Sequence, residues 1–84
     1  MQRFAHFEIC CSNPPVQLGQ VRCLLIAARD EIEAFGIASA HRSQYSFDPK
    51  QFDPRAGAVC RPVNLVSGNY TLSVWGPGVI AETH

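Results

Sequence analysis

The sequence has no excess of charge of either sign. Lysine plus arginine and aspartate plus glutamate each number seven among the 84 residues, so the formal net charge is zero with histidine counted as neutral. A protein that binds nucleic acid or an anionic membrane through its overall field carries a basic excess, and a mimic of DNA carries an acidic one. Charge therefore favours none of these classes, and any role of this kind would need a local patch.

Long apolar runs are also missing. No segment approaches the roughly twenty apolar residues that a membrane-spanning helix needs. The first eleven residues contain Arg3, His6 and Glu8 and no continuous apolar stretch, which is unlike a signal peptide. We therefore expect a cytoplasmic protein with no membrane partner. In that compartment the four cysteines are expected to be reduced thiols and not a disulfide framework.

The spacings typical of metal sites are absent as well. There is no Cys-x-x-Cys, and the adjacent Cys10 and Cys11 would point to opposite faces of a strand. The best ligand set takes one strand face and one residue from elsewhere: His6, Glu8 and Cys10, with Cys60 or His41. Cysteine is more often simply buried or an ordinary thiol. The sequence therefore predicts no metal and no cofactor.

Catalytic signatures are missing too. No serine lies in a nucleophile elbow, and Gly76-Pro77-Gly78 lacks the strand-loop-helix setting of a phosphate cradle. A chain of 84 residues also has little room for both a core and an enclosed pocket. We expect that the protein is not an enzyme and has no catalytic residues, and we keep a small metal-binding or catalytic domain as the last alternative.

Helical periodicity is strongest over residues 20–35. Apolar residues recur there in steps of three and four: Val21, Leu24, Leu25, Ala28, Ile32 and Phe35. This spacing places them on one face of a helix. Gly36 follows directly, where a left-handed cap would end the helix. The sequence therefore predicts one amphipathic helix over residues 20–35. It begins either as early as Pro14, with Asn13 as its cap, or only after Gly19.

Strand signals lie on both sides of this helix. Residues 3–11 alternate, and the odd positions form an apolar face: Ala5, Phe7, Ile9 and Cys11. A second set of alternate apolar residues fits a hairpin that turns at Gly68-Asn69, because this register keeps them on one face: Val63, Leu65, Leu72 and Val74. Residues 79–81 are expected as a short edge strand.

These elements predict an α+β fold for a single domain over residues 1–84. One amphipathic helix packs on a small, mainly antiparallel sheet of three to four strands, in the order β-α-loop-β-β-β. The first strand pairs either with the hairpin or with the last strand. The hairpin register also places Trp75 on the face away from the helix, where the loop covers it or a partner or second copy of the chain binds it.

The segment between the helix and the hairpin has no sustained period, but it contains a repeat. Phe47-Asp48-Pro49-Lys50 is followed by Phe52-Asp53-Pro54-Arg55. Asp-Pro steps favour turns, and a connection of about twenty residues is longer than a small domain needs. Aromatic residues and arginine are enriched at interfaces. We therefore predict these partner-binding residues: Tyr45, Phe47, Lys50, Phe52, Arg55 and Trp75.

The sequence thus predicts a small non-enzymatic protein-binding module that occludes a site on a protein partner. Inhibitors carried by phages and mobile elements, such as anti-CRISPR proteins, are similar in size and style, with no shared motif behind the association. The alternative is weak binding of single-stranded nucleic acid through segment 41–61, where basic residues alternate with aromatic ones. Its basic residues are Arg42, Lys50, Arg55 and Arg61.

Overall fold

The computed structural model describes residues 4–12, 19–63 and 77–84, in which one helix packs on one sheet. The elements in chain order are β1 (Ala5–Cys10), β2 (Cys23–Ala28), α1 (Glu31–Ala40), two 3₁₀ turns (Pro49–Phe52 and Pro54–Ala56), β3 (Val59–Val63) and β4 (Gly78–Thr83). The strand order is β3-β1-β2-β4, and every neighbouring pair is antiparallel. The predicted α+β class, one helix on a mainly antiparallel sheet, is confirmed.

The helix lies further along the chain than the sequence predicted. Cys23–Ala28, expected to be helical, forms strand β2, so two strands precede α1 where one was expected. β2 lies between β1 and β4, and its buried residues point to both faces of the sheet. A short apolar run of this kind suits a central strand as well as a helix face. No helix in the described part of the chain is long and apolar enough to cross a membrane.

The later start also changes the face that α1 buries. Ala34 and Ala38 are its fully buried residues, whereas Ile32, predicted to face the core, is 84% exposed. Gly36, predicted to cap the helix, lies inside it. The two fully buried positions of α1 lie one turn apart and carry only methyl groups, and the larger Phe35 and Ile37 pack against the core while partly exposed.

The core fills the space between α1 and the sheet. The side chains of β1 and β2 that face the helix are in register, with Ile9 opposite Leu24 and Phe7 opposite Ile26. The predicted apolar face of the first strand is confirmed for Ile9, which is fully buried, and for Phe7 and Cys11, which pack against the core. Ala5, its first member, is exposed. The buried cluster has these members: Ile9, Val21, Leu24, Ile26, Ala28, Ala34, Ala38 and Phe52.

Strands β3 and β4 form the two edges of the sheet. The predicted edge strand over residues 79–81 is confirmed within β4, which pairs with β2. β1 pairs with β2 and β3 and does not pair with the last strand. Pro62 lies in β3, where an edge strand tolerates a residue without an N–H donor. Of the predicted hairpin, Val63 ends β3, and the remainder, including Trp75, falls in residues 64–76 outside the described residues.

Candidate functional site

The connection between α1 and β3 is built from the repeated Phe-Asp-Pro motif. The carboxylate of Asp48 accepts a hydrogen bond from the backbone N–H of Lys50 at 3.1 Å, and that of Asp53 accepts one from Arg55 at 2.8 Å. In each repeat the proline follows the aspartate and opens a 3₁₀ turn, where its fixed φ is suited to the backbone. Turns at both Asp-Pro steps, as predicted, are confirmed.

Gly57 ends the second turn in a left-handed conformation, with φ of 90°. Its N–H donates to the carbonyl of Pro54 at 3.0 Å. The neighbouring Ala56 carbonyl accepts a hydrogen bond from the Ser12 hydroxyl at 3.3 Å, so the turn lies against the end of β1. A Cβ atom at Gly57 would come within 2.9 Å of the Ser12 oxygen. Both the conformation and the space at this position therefore favour glycine.

The two phenylalanines of the repeat face the core. Phe52 is 1% exposed, and Phe47 is half-buried with its ring centroid 4.9 Å from that of Phe52. The fully buried side chains of α1 are the alanines Ala34 and Ala38, and Phe52 is the largest fully buried side chain among the described residues. Phe52 was predicted to contact a partner, but it has no surface left for one and belongs to the core.

Tyr45, Lys50 and Arg55 are the predicted partner-binding residues that the structure leaves exposed. Tyr45 is 51% exposed, and its ring lies on that of His84, with centroids 4.1 Å apart and planes at 49°. Lys50 and Arg55 each follow the proline of one repeat. Trp75, the last predicted member of this set, falls outside the described residues.

A polar cluster around Glu82 joins the start of the connection to the end of β4. The Glu82 carboxylate lies 2.5 Å from His41 Nε2 and 3.4 Å from His84 Nε2, and it accepts a hydrogen bond from the Ser43 hydroxyl at 3.0 Å. The hydrogen bond with His41 is the largest cause of a lowered pKa at Glu82. Burial opposes this lowering of the pKa, and Ser43 and His84 add to it.

This cluster connects segments that are far apart in the sequence. The Ser43 hydroxyl donates to Glu82, and its oxygen accepts from the backbone N–H of Tyr45 at 3.0 Å. The sequence offers no local signal for the cluster, because His41 and Glu82 are 41 positions apart.

Two further contacts fix the connection to the sheet. The backbone N–H of Val21 donates to the carbonyl of Ser46 at 2.9 Å, and the side-chain amide of Gln20 donates to that of Gln51 at 3.0 Å. Val21 is fully buried and Gln20 nearly so. The connection is therefore held at its start, middle and end, and its exposed side chains project from a fixed backbone.

The face of the sheet away from α1 carries a disulfide that the sequence did not predict. Cys10 and Cys23 lie directly opposite each other on β1 and β2, with Cα atoms 4.1 Å apart, and are bonded. The prediction of reduced thiols is wrong for this pair. Opposed positions on adjacent antiparallel strands are within disulfide range, but the predicted helix over residues 20–35 leaves Cys23 without a strand partner. Cys11 and Cys60 are outside the disulfide, and burial raises the pKa of the Cys60 thiol.

The ligand set considered from the sequence is only partly brought together. Glu8 and Cys10 share the outer face of β1 as expected, but Cys60 lies opposite Ile9 on the face toward the helix. His41 is hydrogen-bonded to the carboxylate of Glu82. In their place Cys23 joins the group, and the ligand atoms of Glu8, Cys10 and Cys23 lie within 4.8 Å of one another.

Comparison with known proteins gives no match to this chain among protein-family models, curated proteins or solved structures. Any functional assignment therefore depends on the residues and geometry described above.

Proposed function

We propose that this chain is a small non-enzymatic protein-binding module that uses the connection between α1 and β3 to occlude a site on a protein partner. The observation that carries the proposal is the half-exposed Tyr45 on a connection held by Glu82, Val21 and Gln20. Tyrosine supplies a large amphipathic contact area with few rotatable bonds. A backbone that is already ordered loses less conformational entropy when a partner binds.

Two exposed basic side chains of the same connection suit a protein surface. Lys50 and Arg55 are exposed, and the aspartate that precedes each of them is engaged by a backbone N–H in capping its turn. Tyrosine and arginine are enriched among the hot spots of interfaces. We propose that Tyr45 is the main anchor and that Arg55 and Lys50 contribute polar contacts to the same interface.

Binding of single-stranded nucleic acid is less well supported. Successive bases need several exposed aromatic faces on which to stack. Of the aromatic residues in segment 41–61, Phe52 is buried and Phe47 is half-buried, which leaves Tyr45 as the exposed ring. The narrower predictions, an inhibitor of the anti-CRISPR kind that acts in the cytoplasm, depend on size and composition and stay predictions.

Photo-crosslinking compares the proposed surface with the other exposed apolar positions. A photoreactive phenylalanine analogue is placed at position 45, 32 or 59, since Ile32 and Val59 are the other large apolar side chains exposed in the described part of the chain. In cells of the native host, we expect one partner protein to be crosslinked reproducibly from position 45 and not from position 32 or 59. Crosslinking from position 32 or 59 alone would place the interface elsewhere.

The captured partner then allows affinity to be measured. Tyr45→Ala is expected to weaken binding by roughly 5- to 150-fold, since truncation of an aromatic anchor costs about 1 to 3 kcal/mol. Ile32→Ala, the matched control, should leave the affinity unchanged. Affinity that falls steeply with salt and is abolished by nuclease would instead support the nucleic-acid alternative.

A further inference from the structure

The second group of interest lies on the sheet face away from α1, around the Cys10–Cys23 disulfide. Glu8 precedes Cys10 by two positions on β1, so its side chain points to the same face. The two sulfur atoms and a carboxylate oxygen lie within 4.8 Å of one another, and all three residues are partly exposed. Thiolate sulfur and carboxylate oxygen at short mutual distances form a donor set for a divalent transition metal.

We propose that reduction of the Cys10–Cys23 disulfide turns this group into a binding site for a thiolate-binding divalent metal ion, zinc being the best match. The reductant is a dithiol, such as a cellular thiol-disulfide oxidoreductase carries. The two thiols of the reductant are oxidised to a disulfide. Their two electrons and two protons pass to the sulfur atoms of Cys10 and Cys23, whose bond breaks to give two cysteine thiols. Metal binding releases both protons, so that two thiolates and the Glu8 carboxylate bind the ion and water completes four-coordination.

The strand pairing keeps the two cysteines together after the sulfur bond is broken. β1 and β2 are in continuous register from Ala5 opposite Ala28 to Cys10 opposite Cys23. The pairing continues past the disulfide, because the N–H of Cys11 donates to the carbonyl of Arg22 at 3.1 Å. The backbone positions of both sulfur ligands are thus set by the sheet.

Glu8 also has the support that a metal ligand usually has. One of its carboxylate oxygens forms an ion pair with the guanidinium of Arg61 on the neighbouring strand β3, which leaves the second oxygen for the metal. Partners of this kind orient a ligand from outside the coordination sphere. The positive charge of Arg61 also offsets the net charge of minus one that two thiolates and a carboxylate give with a divalent ion.

The test uses the full chain in its oxidised form and after reduction with dithiothreitol, which is then removed by anaerobic gel filtration. Cobalt(II) is the spectroscopic probe. We expect the reduced chain to bind one equivalent with a thiolate-to-cobalt charge-transfer band in the near ultraviolet, and added zinc to abolish the band. The oxidised chain should give no band. Binding that is equal in both forms, or cobalt bound without the band, would overturn the proposal.

The four cysteines provide matched controls. Cys10→Ser and Cys23→Ser should each abolish the band, whereas Cys11→Ser and Cys60→Ser should bind as the wild type does. Glu8→Gln keeps both cysteines and the strand pairing, and it should weaken zinc binding by at least 10-fold, in line with the loss of one of three ligands. Loss of the band in Cys11→Ser, as in Cys10→Ser and Cys23→Ser, would contradict the assignment of the ligands.

Mass spectrometry provides a readout that does not depend on cobalt. One equivalent of zinc should slow the alkylation of Cys10 and Cys23 in the reduced chain and leave that of Cys60 unchanged. If the reduced chain unfolds, zinc binding by an ordered site should restore its far-ultraviolet circular dichroism. A reduced chain that stays unfolded with zinc present would overturn the proposal.

Discussion

The carboxylate of Asp30 accepts a hydrogen bond from the backbone N–H of Glu33 at 2.8 Å, and the carboxylate of Glu33 accepts one from the N–H of Arg29 at 2.9 Å. The first bond satisfies one of the donors that the first turn of a helix leaves without a partner, and the second joins the residue before the cap to the same turn. Together they mark the start of α1. Asp30→Ala should lower the free energy of unfolding by about 1 kcal/mol. Asp30→Asn, which keeps an acceptor oxygen, should cost clearly less in the same urea titration, and an equal cost would argue against the cap.

This cap is the local sequence signal for the start of α1. Asp30-Glu31-Ile32-Glu33 has the spacing of a capping box and marks a helix start at residue 31. The apolar run of β2 fits both a helix face and a central strand. Its pairing with β1 and β4 makes it a strand, and a sequence pattern does not contain this pairing. The fold class was still predictable, because it requires one apolar helix face and alternating strands and not their order.

The candidate site also contains some contacts that the sequence could predict and others that it could not. The Asp-Pro turns were predictable because each depends on neighbours along the chain, Asp48 with Lys50 and Asp53 with Arg55. The contact of His41 with Glu82 brings together residues that are distant in sequence, and so does the Cys10–Cys23 pair on the outer face. Such contacts depend on strand register and on where the helix lies. Because the sequence predicts a helix where the structure has β2, it does not predict the disulfide.

Two glycine-to-alanine variants should shift stability in opposite directions. Gly57→Ala meets both a left-handed backbone and the Ser12 hydroxyl, and should cost about 1 to 3 kcal/mol. Gly36 lies inside α1 with open space around its Cα, so Gly36→Ala should stabilise by about 0.5 to 1 kcal/mol. Chemical denaturation measures the change in the free energy of unfolding of both variants. A stabilised Gly57→Ala would show that the second turn does not need its left-handed residue.

Phe52 and Tyr45 should separate folding from binding. Phe52→Ala removes a ring that is 1% exposed and should cost about 3 to 5 kcal/mol. Tyr45→Ala removes a half-exposed ring and should cost under about 1 kcal/mol, because surface changes are usually small. Thermal and urea unfolding of the two variants measure this difference. Comparable losses would mean that Tyr45 is also needed by the fold.

Reduction of the disulfide should weaken the fold in the absence of metal. Cys10 and Cys23 are separated by 13 positions, and closing a loop of that order stabilises by about 3 kcal/mol in the chain-entropy account. The urea midpoint of the wild type should therefore fall when dithiothreitol is added with a chelator. The double variant Cys10→Ser, Cys23→Ser is the control, and its midpoint should not respond to the reductant. A wild-type midpoint that is the same in both conditions would contradict the bonded pair.

The Glu82 cluster should make stability depend on acid pH. Hydrogen bonds led by that from His41 hold the pKa of Glu82 below its ordinary value of 4.5 in the folded chain. A carboxyl group with a lower pKa in the folded state stabilises the fold above its unfolded pKa, and this contribution is lost as the pH falls through the folded pKa. Wild-type stability should therefore decline more steeply than that of Glu82→Gln from about pH 6 to about pH 3.

The deciding comparison in this pH series is between the wild type and Glu82→Gln. Because the carboxamide does not titrate, the profile of Glu82→Gln should approach the wild-type curve in acid. Glu82→Gln and wild-type profiles that stay parallel down to about pH 3 would mean that Glu82 does not link α1 to β4 by its charge.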